Sequence, residues 1–138
     1  MADVFTPAER SRVMRAVLSR DTRPELLVRR LAARLGFRTR AKSRSLPGSP
    51  DLVFTRLRKV VFVHGCFWHR HACPRGQSHP ADRRAFWAKK FAGNVSRDRA
   101  ALRALRREGW QVLVVWECGL KANRLDRTIG RLRRFLET

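Results

Sequence analysis

The stretch that decides the fold is "DLVFTRLRKVVFVHGCFWHRHACP", residues 51–74. Two short runs rich in β-formers, "DLVFTR" at 51–56 and "KVVFVH" at 59–64, lie close enough to form a hairpin. "SLPGSP" at 45–50 brings the chain into the first run by turn chemistry. The second run leads directly into a segment, 65–80, that carries Gly, Pro, Cys and His and has no hydrophobic period. Such a segment cannot fold around an apolar core of its own.

Outward from this ribbon, helices alternate with one more strand. "TPAE" at 6–9 and "TRPE" at 22–25 both place a Thr cap, a Pro and a Glu as a capping box requires. The first opens an N-terminal helix within residues 1–20. The second opens a helix with Leu26, Leu27, Leu31 and Leu35 on one stripe, which ends at Gly36. Residues 83–108 have a helical pattern, expected to break near Gly93-Asn94 and to end at Gly109. "WQVLVVWE" at 110–117 is nearly all apolar, which predicts a strand buried on both faces and central in its sheet. A final helix over 124–137 sets Leu125, Ile129, Leu132 and Leu136 at helical spacing. The expected class is α/β (α+β), a central mixed sheet flanked by helices in one domain spanning 1–138.

The charge narrows the partner. The 138 residues carry 32 basic and 11 acidic side chains, a formal charge of +21. Five of the basic residues are lysines, which leaves 27 arginines. A field of that sign favours a polyanion, and guanidinium forks match phosphate geometry, so nucleic acid is the expected partner. No apolar run approaches the ~20 residues of a membrane span, and "MADVFTPAER" is no signal peptide, so an intracellular, cytoplasmic protein is expected.

In a reducing compartment three cysteines are more readily metal ligands or buried thiols than disulfides. Cys66, Cys73 and Cys118, with His69 or His71, offer a tetrahedral zinc set. Spacing leaves open which histidine binds. The other is then available for chemistry, as is His64 at the strand end.

Three carboxylates have two readings each. Asp51 opens the first strand after "PGSP", where it either closes an Asx-turn or holds Mg²⁺ beside the returning strand. Glu25 is explained by its capping box. Asp98, within "NVSRDRAALR", is either neutralised by flanking arginines or orients a histidine. The aromatics divide likewise. Phe67, Trp68 and Trp87 either cover the ligand loop as a satellite cluster or enter base steps of DNA. Trp110 and Trp116 bracket the third strand as core.

These motifs together resemble a known family. "SLPGSPDLVF", "VFVHGCFWHRHxC", "FWxxKFxxNVxRDRxxLxxLxxxGWxVLVVWEC" and "RSxxMRAVxSRDTxPE" resemble the very short patch repair (Vsr) endonucleases, from about residue 3 to 120. The resemblance implies a restriction-endonuclease-like fold. It also implies a strand-nicking enzyme that incises beside the T of a T:G mismatch left by deaminated 5-methylcytosine. It assigns catalytic Mg²⁺ to Asp51 and the Val63 carbonyl, and general-base and phosphate-side roles to His69 with Asp98 and to His64. Glu25 becomes an acidic residue of the site as well as a cap. Structural Zn²⁺ falls to Cys66, His71, Cys73 and Cys118. Phe67, Trp68 and Trp87 would enter the DNA from one groove and Met14, on the N-terminal DNA-contacting helix, from the other. The implied partners are mismatched duplex DNA, mismatch-repair proteins and a repair polymerase, for a nucleoid-associated bacterial enzyme. One nick needs one active site, so a monomer is expected. Position 63 is Val where the family often has Thr, a change that a carbonyl ligand survives. The segment 72–84 and the chain after about 120 also depart from the pattern. The alternatives are a zinc-stabilised DNA-binding module without catalysis and a restriction-type nuclease cutting matched DNA.

Overall fold

A computed structural model describes residues 24–39 and 45–138. The expected N-terminal helix and Met14 lie outside these residues. The described elements are α1 (Pro24–Arg34), β1 (Leu52–Phe54), β2 (Lys59–His64), α2 (Pro74–Gln77), α3 (Arg84–Arg107), β3 (Gln111–Trp116) and α4 (Leu125–Glu137). No helix among them is long and apolar enough to cross a membrane.

β1 and β2 pair antiparallel, Leu52 opposite Val61, so the expected hairpin forms. β3 returns through α3 and pairs parallel with β2, Val60 opposite Val112 and His64 opposite Trp116. The order is β1-β2-β3. Alternation along β2 splits the core in two. Val61 joins Leu52, Phe54 and Val115 against Leu27, Leu31, Leu125, Ile129, Leu132 and Leu136 of α1 and α4. Val60 and Phe62 point the other way, onto Leu105 of α3 and Trp110. The result is three layers, with helices on both faces of a mixed sheet.

Both expected glycine stops form Schellman motifs. Gly36 and Gly109 take φ of 95° and 91°. Phe37 N–H reaches the Ala32 carbonyl at 2.9 Å, and Trp110 N–H reaches that of Leu105 at 3.0 Å. Leu105 and Trp110 also meet in the core, the apolar contact that accompanies this motif.

Three expectations are corrected. The central strand is β2, and β3 lies at the edge of the described sheet with Val112, Leu113 and Val114 half-buried. Its apolar run reports helix layers on both faces, not its rank in the sheet. Second, α3 runs unbroken for 24 residues, about 36 Å. Gly93 costs it only about 1 kcal/mol, and Asn94 sends its amide to the Trp68 carbonyl instead of competing for its own backbone. Third, the aperiodic loop contains a helical turn, α2, led by Pro74.

A buried cation completes the frame. Lys59 is 3% exposed, and its ammonium donates to the Phe135 carbonyl at 2.5 Å. It thus sits on the C-terminal, negative end of α4, which offsets its desolvation.

Candidate active site and metal centre

Both centres arise at the end where the parallel strands β2 and β3 finish. Because His64 is level with Trp116, Cys66 and Cys118, each two residues further on, emerge side by side. The Cys118 N–H lies 3.4 Å from Cys66 Sγ. The loop then turns back, with the His71 N–H on the Cys66 carbonyl at 3.1 Å. This places His71 Nδ1 3.5 Å from Cys118 Sγ and 3.9 Å from Cys66 Sγ. Cys73 joins them, and the four ligand atoms lie within 4.8 Å of one another. A tetrahedral ion with ~2.3 Å bonds to sulfur and ~2.1 Å bonds to nitrogen requires separations of about 3.5–3.8 Å. The set therefore fits a metal. Its histidine is His71, not His69.

The thiols are unequally prepared. The Gly76 N–H, assisted by His71, draws the Cys73 thiol down to about 6, so it is a ready thiolate. Burial pushes Cys66 up to about 12, so its proton leaves only when a cation replaces it. Glycine is required at 76. A Cβ there would stand 1.9 Å from the His71 carbonyl oxygen. The indole of Trp116 stacks on His71 at 4.3 Å and 21°.

The second cluster lies on the α3 face of the same sheet end. His69 Nδ1 meets Asp98 Oδ2 at 2.6 Å, and the rings of His69 and His64 stack at 3.9 Å and 6°. His64 is 7% exposed. Burial, reinforced by the neighbouring His69 and opposed by Asp98, brings its imidazole down to about 4. His64 is therefore neutral at physiological pH.

Asp51 enters from the other edge. Its N–H donates to the Val61 carbonyl at 3.1 Å, and its Oδ2 accepts the Val63 N–H at 2.7 Å. The N–H and C=O of one residue in an extended strand face the same neighbour. The Val63 carbonyl thus faces the Asp51 side, two residues past the last β1 partner. Carboxylate and carbonyl are the hard oxygen donors that Mg²⁺ prefers. The turn before Asp51 is seated by Gly48, at φ 72°, where a Cβ would lie 2.7 Å from that of Ala101 on α3.

Asp51, Val63, His64, His69, Arg97 and Asp98 line one cleft of about 400 Å³. Glu25 sits in the first turn of α1 and is not among the described residues lining that cleft. Its capping partner Thr22 lies outside the described residues.

Trp87, Phe91, Asn94 and Asp98 recur at intervals of four, three and four, one stripe of α3. That stripe carries the aromatics to the edge of the cleft. Phe67 packs on Trp68, Trp87 and Phe91 with centroids 5.1–6.2 Å apart. Phe91 is the buried foot of the group, while Trp68 stays 43% exposed. The cluster is thus neither wholly core nor wholly free. Lys90 lies 5.4 Å above Trp68 and 5.8 Å above Trp87. Phe86, next to Trp87 in the sequence, extends the cluster: it is 45% exposed and its ring lies 5.4 Å from that of Trp87.

The chain is similar in sequence to known DNA endonucleases. A family model described as DNA mismatch endonuclease Vsr matches residues 2–75. Type II nicking enzyme V.XorIIP of Xanthomonas oryzae pv. oryzae is 44% identical over 137 residues, covering 99% of this chain and 98% of that protein. DNA mismatch endonuclease Vsr of Escherichia coli is 46% identical over 121 residues, covering 88% of this chain and 77% of that protein. Type II nicking enzyme V.NmeAIP of Neisseria meningitidis is 40% identical over 138 residues, covering 96% and 98%.

Proposed function

Since the chain belongs to the Vsr family of DNA endonucleases, we propose that it nicks one strand of duplex DNA beside the T of a T:G mismatch, with Mg²⁺ at Asp51. Family membership sets aside a DNA-binding module without catalysis. The observation that carries the finer reading is the cleft itself. A carboxylate–carbonyl pair and a carboxylate-oriented histidine line it together, next to a half-exposed aromatic cluster.

In this reading Asp51 and the Val63 carbonyl hold the cation. A divalent cation such as Mg²⁺ held by these two groups would supply charge neutralisation at the scissile phosphate and orientation of water. His69 keeps its Nδ1 proton on Asp98, so Nε2 is the lone pair that takes a proton from the attacking water. His64, held neutral, supports the His69 ring by stacking and faces the phosphate as a hydrogen-bond partner. Glu25, in the first turn of α1, is assigned to the site on the family resemblance alone.

Cys66, His71, Cys73 and Cys118 hold zinc. Thiolate and imidazole donors suit that ion, and four protein ligands leave it no open position for catalysis. Zinc there ties loop 65–80 to the end of β3, replacing the apolar core that the loop lacks. So anchored, Phe67, Trp68 and Trp87 press into the helix where a T:G pair stacks weakly, with Met14 opposite. The mixed sheet with its carboxylate at the mouth of an antiparallel pair supports a restriction-endonuclease-like fold, working as one monomeric domain upstream of mismatch-repair proteins and a repair polymerase.

The test is Asp51→Asn on a strand-labelled T:G duplex. Nicking in Mg²⁺ falls at least ~10³-fold while duplex binding in EDTA persists. Unchanged nicking would overturn the reading.

A further inference from the structure

Among the described residues lining the cleavage cleft, one carries a fixed positive charge, Arg97. The other ionisable groups there are two carboxylates, Asp51 and Asp98, and two imidazoles, His64 and His69. Two carboxylates repel a phosphodiester, and the repulsion grows as negative charge builds on the phosphorus oxygens in the transition state. A guanidinium in the same cleft opposes it, and its planar fork matches two phosphate oxygens.

Arg97 does not hang loosely. Its Nη2 donates to Asn94 Oδ1, one turn back on α3. Asn94 in turn donates its Nδ2 to the Trp68 carbonyl at 3.3 Å. The bond to Asn94 takes one of the five N–H donors of the Arg97 fork. A continuous chain of side chains thus runs from the backbone of the half-exposed tryptophan to a cation in the cleft. It also accounts for an asparagine in mid-helix, which propensity disfavours.

We propose that Arg97 is a catalytic residue that grips a non-bridging oxygen of the scissile phosphodiester, and that Asn94 is a positioning residue that sets Arg97 according to where Trp68 sits. Seating of the aromatic loop in a mismatch and gripping of the phosphate are then one event. This rests on the nicking reading above and adds to it the group that discriminates a seated loop from an unseated one.

The test uses single-turnover nicking in Mg²⁺ and duplex binding in EDTA, for wild type, Arg97→Ala, Arg97→Lys, Asn94→Ala and the double variant. Arg97 is exposed, so Arg97→Ala should melt with the wild type. It should lose about 10²–10³ in nicking rate, the scale of one transition-state donor, with binding changed less than about 5-fold. Arg97→Lys should recover only part of the rate, since a point charge replaces a fork. Asn94→Ala should lose about 10-fold and add nothing in the double variant, because it acts through Arg97. A duplex with methylphosphonate at the contacted phosphate should be nicked equally by wild type and Arg97→Ala. Wild-type rate in Arg97→Ala, additive losses, or the same Arg97→Ala loss on every methylphosphonate duplex would overturn the proposal. If the wild type nicks no T:G duplex, the functional reading itself fails. If the wild type nicks and Arg97→Ala matches it, only this inference fails.

Discussion

The ring of His69 lies flat on the ring of His64, centroids 3.9 Å apart and planes within 6°. Only one of the two has a carboxylate, Asp98 on His69 Nδ1. Two imidazoles so close do not share charge easily, and burial has already assigned the neutral role to His64. The ring of His69 is thereby held from two directions, by a stacked ring on its face and by a carboxylate at Nδ1.

Asp98→Asn should therefore separate binding from chemistry. The amide keeps the shape but loses the carboxylate charge that faces His69 Nδ1. Single-turnover nicking should fall about 10²–10⁴-fold, the range of general-base catalysis. Duplex affinity, read by anisotropy in EDTA, should stay within about 3-fold, the scale of a lost local contact.

Metal removal tests the Cys/His cluster independently of activity. The protein should retain about one equivalent of zinc, and cobalt in its place should give the visible bands of a tetrahedral thiolate site. Cys118→Ser cuts the link between loop and β3. It should lose the ion and at least ~3 kcal/mol of stability, about 10 °C in Tm.

Two glycines make a matched pair. Gly36→Ala meets nothing within 4 Å and should cost only the strain of a positive φ, about 1 kcal/mol. Gly76→Ala collides with the His71 carbonyl and should shift the loop, lowering both Tm and zinc content. Calorimetry with metal analysis on both variants checks the contrast.

Within the aromatic cluster, exposure predicts opposite phenotypes. Trp68→Ala removes a half-exposed ring and should leave Tm within about 3 °C. It should reduce the ratio of T:G to matched nicking by at least ~10-fold, since stacking on a base is worth about 1–3 kcal/mol. Phe91→Ala removes the buried foot and should cost about 3–5 kcal/mol.

How far the sequence alone carried these conclusions depended on the range of the interaction. The hairpin, the stops at Gly36 and Gly109 and the stripe of α4 are local, written in period and turn chemistry. The metal set needed all three cysteines, and its choice of His71 over His69 came from loop closure by the His71 N–H on Cys66. Spacing could not supply that. The continuity of α3 was hidden because Asn94, a helix breaker in isolation, is tied to Trp68, 26 residues away. The edge position of β3 was hidden because hydrophobicity reports cover on the faces and not neighbours in the plane. Lys59 on the end of α4 joins residues 76 apart, and no local pattern announces it.

The central claim is that one cleft cuts one strand where the aromatic cluster finds a weak pair. The most direct measurement is single-turnover nicking of strand-labelled duplexes that differ only in T:G against T:A, in Mg²⁺ and in several flanking contexts. The account predicts a single nick beside the T, at least ~100-fold faster on T:G in the best context, a discrimination of about 3 kcal/mol. Equal rates on paired and mispaired DNA, or cleavage of both strands, would contradict it.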